Sequence, residues 1–243
     1  MPKIGFSTGC LHRTKLTLAE KIAFFKSVGA DAIEIGLGDL LELMSTSISP
    51  DPQRTAKDFK YISIHAPWKN IRYGPNVETD AAIEKLIKLC DLLPITGIVI
   101  HPRKIDNFEK LEKSHLPFLI ENSGWGKPLG ALPEYFGRLK IDYPFGFVLD
   151  VQHTYEHDPS MILAKELIGA MGDRLKEMHV SGCTRELRHA PVHRSDNKDA
   201  IIKILELKFP APKILEGVFL PEDDAEQTAY DELKLIKSYE NDI

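Results

Sequence analysis

Cysteine is scarce in this chain of 243 residues. Cys10, Cys90 and Cys183 stand far apart, with no CxxC pair and no even framework. That pattern argues against a disulfide scaffold and against thiolate metal ligation. Long apolar runs are also missing. None approaches the roughly 20 residues that span a bilayer, so no membrane partner is expected. The first residues, MPKIGFSTG, carry neither the charged nor the apolar region of a secretory leader, and a cytoplasmic protein is expected. There is no surplus of positive charge: 31 Lys and Arg face 36 Asp and Glu, a net charge of −5. Composition therefore does not advertise nucleic-acid binding, although a local basic patch can sit on an acidic protein. No GxGxxG or Walker A motif follows a β-like run, which counts against a nucleotide-binding open sheet. Linkers and low-complexity segments are absent too, so one domain over residues 1–243 is expected.

What is present is alternation. Eight short runs are rich in β-branched and apolar residues: KIGFS (3–7), DAIEIG (31–36), KYISIH (60–65), GIVIH (97–101), LPFLIE (116–121), FGFVLD (145–150), LKEMHV (175–180) and KILEGV (213–218). Continuous apolar runs of this length suit parallel strands buried on both faces. Residues 16–29, 78–93, 158–172, 196–208 and 222–239 have helical spacing of apolar residues between start and stop signals. The connections after the second and fifth runs look short or irregular. Eight strands alternating with helices predict an α/β fold, a single-domain (β/α)₈ barrel of the triosephosphate-isomerase type, for which about 250 residues is ordinary.

Such barrels keep their chemistry at the C-terminal ends of the strands. Here those ends carry His65, His101, Glu121, Asp150, His179 and Glu216, with His153 just beyond Asp150. A lone histidine at a strand end is usually a hydrogen-bonded structural residue. Acids and histidines number 36 and 9, under one residue in five, yet they end six consecutive runs, so we read a site. A carboxylate inside an apolar strand also needs a cationic partner, because burying it unpaired is very costly. Nitrogen and oxygen donors without sulfur suit zinc first, then manganese, cobalt or magnesium. Glu34 is read as structural, and His12, His115, His157 and His189 as surface residues. The acidic cluster 222–224 is read as the start of the last helix, and Cys10 and Cys183 as small filler.

HAPW (65–68), IHP (100–102), LIENSG (119–124), LDVQH (149–153), MHVSG (178–182) and ILEG (214–217) together resemble the xylose-isomerase-like barrels. That superfamily includes sugar isomerases and epimerases and the endonuclease IV group of abasic-site nucleases. The resemblance implies a metal core of Glu121, Asp150, His179 and Glu216, shared by both branches. In the nuclease branch it implies a second ion at His65, His101 and Glu121. A third ion would use His153 and a histidine after strand seven, for which His193 stands nearest. Pro191 occupies the place of the aspartate that should precede it, leaving Asp196 or His189 as substitutes.

Two functions follow as expectations. The first is a metal-dependent phosphodiester hydrolase of the endonuclease IV type. It would use two or three zinc ions and act on DNA with an abasic or damaged site. The second is a sugar isomerase or epimerase with one manganese, cobalt or magnesium ion, acting on a small sugar or sugar phosphate. Glu121 and Glu216 are the expected catalytic carboxylates; Trp68 would contact substrate in either case, and Arg185 and His153 would hold the sugar in the second. Lys69 and Arg72 could meet a phosphate. A barrel that binds a ligand without turnover is the third possibility.

Overall fold

The computed structural model describes residues 3–47, 50–124, 126–127 and 129–240. Eight strands close a barrel in chain order, each parallel to its neighbours. They are β1 (Ile4–Ser7), β2 (Ala32–Gly36), β3 (Tyr61–His65), β4 (Gly97–Ile100), β5 (Phe118–Glu121), β6 (Gly146–Asp150), β7 (Leu175–Val180) and β8 (Lys213–Leu215). Each falls within one of the eight runs read from the sequence.

The principal helices are α1 (Leu18–Ser27), α2 (Leu40–Ser45), α3 (Pro50–Lys57), α4 (Val77–Leu92), α5 (Phe108–Glu112), α6 (Pro133–Asp142), α7 (Val151–His157), α8 (Ile162–Met171), α9 (Lys198–Leu205) and α10 (Ala225–Glu240). Local chemistry fixes their starts. A reciprocal pair between Thr17 and Glu20 caps α1, and Asn76 caps α4. The connection after β2 is irregular, as expected, and holds two short helices. The connection after β5 differs from the expectation. Residues 122–132 precede the three-turn helix α6, whose start is set by Pro133. Its buried apolar residues, Phe136 and Leu139, are too few to stand out as a periodic face.

The main core lies between sheet and helices, where Phe6 of β1 stacks on Phe25 of α1 at 4.6 Å. Gly5 faces the lumen, where a Cβ would fall on the Ala32 carbonyl, so only glycine lets β1 and β2 approach there. Two small apolar clusters, Ala32 with Tyr61 and Ile214, and Val99 with Leu119 and Val148, are separate from that core. They fill the barrel interior. Among the described residues no helix is long and apolar enough to cross a membrane.

Candidate metal centre

Side chains two apart on a strand share a face. Val99, Leu119, Val148 and Ile214 point into the barrel, so His101, Glu121, Asp150 and Glu216 point the same way, one layer nearer the mouth. The same step leads from Ser63 to His65 and from Glu177 to His179. Asp150 also caps α7, accepting the His153 backbone N–H at 2.9 Å, and this turn swings His153 over the mouth.

The convergence produces four ligand clusters, each with its donor atoms within 4.8 Å of one another: three overlap at the mouth, and Glu34, Glu177 and His179 make a fourth one layer below. Glu121, Asp150, His179 and Glu216 form the first. His65 and His101 share Glu121 in the second, and His153 and His189 share Asp150 in the third. Glu121 uses both oxygens. Oε1 lies 2.9 Å from His179 Nδ1, while Oε2 lies 2.8 Å from His101 Nε2 and 3.7 Å from His65 Nε2.

Several details suit a bound cation. His65 Nδ1 lies 3.0 Å from the Ala66 carbonyl, and His153 Nδ1 lies 3.0 Å from the Asn122 carbonyl. A carbonyl only accepts, so Nδ1 carries the proton in each and Nε2 is left as the ligand atom. His189 Nδ1 is similarly engaged by the Ser181 hydroxyl at 2.9 Å. Asp150 Oδ2 is buried without a hydrogen bond. Burial pushes the Asp150 carboxyl up to about 7, which marks a place short of positive charge. Burial likewise takes His101 down to about 4. Burial also opposes ionisation of Glu216, but the facing His179 outweighs it and holds Glu216 at about 2. The donor set fits a divalent ion of the zinc or manganese kind.

Two expected site residues lie elsewhere. His193 faces Glu232 of α10, with Nδ1 at 3.2 Å from Oε2, and its backbone N–H also bonds that carboxylate. Arg185 is exposed and does not line the cavity, whereas Arg188, paired with Glu156, does. Asp196 is exposed as well. His189, read as a surface residue, takes the third-cluster place. The chain after β7 turns back through an antiparallel bridge between Gly182 and Ala190, which sets the His189 ring 5.4 Å from that of His153. No local pattern in the sequence announces that fold-back. Glu177 escapes a rule based on strand ends, because it lies one layer deeper. Replacing His189 with Ala should lower bound metal by about one ion per chain, and His193→Ala should leave it unchanged. Elemental analysis of the two purified variants checks this, and the reverse result would return His193 to the site.

The clusters open into a cavity of about 420 Å³. Its wall above the ligand clusters carries Lys21, Lys69, Arg103, Lys127 and Arg188 against one further acid, Glu42. Trp68 stands at the mouth, edge-on to His65 at 4.7 Å. Arg72 is tied instead to Asp106 and the Arg103 carbonyl. Cys10 also lines the cavity, but its thiol donates to the Leu215 carbonyl at 3.1 Å, and burial with Glu216 nearby pushes it well up. It stays protonated and is no nucleophile. A larger cavity, about 600 Å³, lies at the opposite end of the barrel against Tyr61, Phe118 and Gly146. It contains none of the clusters.

No family model and no curated protein matches this sequence. Solved structures do. Endonuclease IV from Thermus thermophilus superposes with a TM-score of 0.71 at 19% identity, covering 98% of both chains. D-psicose 3-epimerase from Clostridium cellulolyticum also gives 0.71, at 12% identity, over 98% of this chain and 99% of that one. The zinc-bound IOLI protein gives 0.68 at 18% identity, over 99% and 100%. The chain shares the (β/α)₈ barrel fold of these structures. At these identities the likeness carries the fold alone, and that barrel hosts a nuclease in one structure and a sugar epimerase in another. Function has to be argued from the site.

Proposed function

We propose that this xylose-isomerase-like barrel is a metal-dependent phosphodiester hydrolase of the endonuclease IV type. One observation carries the reading: three ligand clusters are chained through Glu121 and Asp150 at the floor of a cation-walled cavity. A single-ion enzyme has no use for the second and third clusters, and the cations on the wall suit a phosphate-bearing substrate better than a neutral sugar.

Glu121, Asp150, His179 and Glu216 would hold one ion, His65 and His101 with Glu121 a second, and Asp150, His153 and His189 a third. Such ions, zinc above all, supply Lewis-acid stabilisation of charge on phosphoryl oxygens and acidify water. Lys69, Arg103, Lys127 and Arg188 draw the anionic substrate to the mouth and hold its remaining oxygens. Trp68 offers a flat apolar face to a sugar or base. With duplex DNA as substrate, the abasic or damaged nucleotide must leave the stack to reach the floor.

A sugar epimerase with one ion is the second reading. It is favoured by Glu121 and Glu216 facing the same His179 Nδ1, at 2.9 and 3.4 Å, a carboxylate pair suited to proton exchange. Elemental analysis with a cleavage assay on abasic duplex DNA separates the two. The hydrolase reading expects two or three ions per chain, with cleavage abolished by a chelator and restored by zinc. One ion per chain, with deuterium entering a ketose from D₂O, would replace it with the epimerase.

A further inference from the structure

Beneath the ligand clusters lie two carboxylates that the proposed reaction does not touch. Glu34 of β2 and Glu177 of β7 are both 0% exposed. They converge on the far side of the His179 ring. Its Nε2 lies 2.8 Å from Glu177 Oε1 and 3.2 Å from Glu34 Oε2. Its Nδ1 faces Glu121 and Glu216 in the first cluster. Among the described residues no Lys or Arg pairs with either Glu34 or Glu177, and neither oxygen of Glu34 has a hydrogen bond.

From this geometry we infer that Glu177 and Glu34 are positioning residues that fix the His179 tautomer and thereby set metal affinity at the first cluster. The inference rests on reading that cluster as an ion site. A neutral imidazole carries one N–H. With the proton on Nε2, it meets Glu177 Oε1 at 2.8 Å, with Glu34 Oε2 alongside at 3.2 Å, and the Nδ1 lone pair points at the ion position. With the proton on Nδ1, the Nε2 lone pair would face two buried acceptors and the N–H would stand where the ion belongs. Both effects favour the same tautomer. Glu177 reaches Nε2 because it sits two residues before His179 on the same face of β7. Glu34 reaches it across the lumen, since β2 and β7 are not neighbours in the sheet. A carboxylate behind a metal-binding histidine orients the ring and raises its basicity. The second carboxylate bars the ring from turning its lone pair inward.

The test is zinc affinity by chelator competition, with melting of the zinc-free protein measured in parallel. Glu177→Gln keeps the shape but can donate its amide N–H to Nε2, which favours the wrong tautomer. It should weaken zinc about 10- to 100-fold, and Glu34→Gln should weaken it less. The zinc-free melting temperature should change little, because three carboxylates still face the His179 ring after either substitution. Glu177→Asp, which keeps the charge but withdraws the oxygens, should also weaken zinc, and it serves if the Gln variant fails to fold. Wild-type zinc affinity in the Glu177 variants would overturn the inference, as would a lowered melting temperature with affinity unchanged. If the wild-type protein itself takes up no zinc or manganese, the ion-site reading falls first, and this inference with it.

Discussion

Replacing Glu121 with Gln should lower phosphodiester cleavage by about 10³-fold or more and remove more than one ion per chain. Glu121 is the residue two clusters share, with one oxygen toward His179 and the other toward His101 and His65. An amide keeps its volume but loses the negative charge and presents an N–H to one side. One of the two ion positions then meets a donor where it needs a lone pair. Losing Lewis-acid stabilisation worth roughly 4 kcal/mol corresponds to about 10³ in rate, since each 1.36 kcal/mol is about tenfold. His65→Ala is the comparison: it removes a ligand from the second cluster only, and should cost about one ion. Turnover and elemental analysis on both variants decide the matter. A Gln variant with full metal content and full activity would remove the shared-ligand arrangement from the mechanism.

The second large effect concerns stability. Lys213→Met should destabilise the fold by about 3–5 kcal/mol, the usual cost of stranding one partner of a buried ion pair. Lys213 opens β8 and is 0% exposed. Its ammonium donates to the Phe209 carbonyl at 2.6 Å and the Ala211 carbonyl at 3.3 Å, and pairs with Glu240 of α10 at 2.8 Å. Burial lowers its proton affinity and the Glu240 carboxylate opposes that. Methionine fills the space but leaves Glu240 charged and dry. At about 2–4 °C per kcal/mol for a chain of this size, the melting temperature should fall by roughly 6–20 °C. Adding Glu240→Leu removes the stranded charge and should recover at least half the loss, the two carbonyls remaining unpaired. Denaturant melts of the single and double variants measure it. A single variant as stable as wild type would mean that the pair contributes nothing. The metal centre lies at the other end of the barrel, so metal content should not change in either variant.

Much of the architecture is legible in the chain because strand and helix periods are local. The runs 60–65 and 97–101 read as strands by their own composition, and barrel topology then sends their last side chains to one mouth. The helix α6 is not legible, since Phe136 and Leu139 are too few to make a periodic face and only Pro133 marks its start. His65, His101, Glu121, Asp150, His179 and Glu216 can be named because each ends a readable strand. Glu177 cannot be named by that rule, although the same period of two that places His179 inward places Glu177 inward as well.

The strand count, the parallel barrel and the chemical type of the donors follow from the residues alone. Alternation along a strand and apolar burial need no knowledge of distant residues. Which histidine joins His153 is a different matter, settled in three dimensions. A loop's path depends on contacts made far along the chain, and here the Gly182–Ala190 bridge brings His189 inward while Glu232 of α10 holds His193 away. The sharing of one imidazole by Glu34 and Glu177 is likewise a property of the closed barrel, because β2 and β7 meet across its lumen and nowhere in the linear chain.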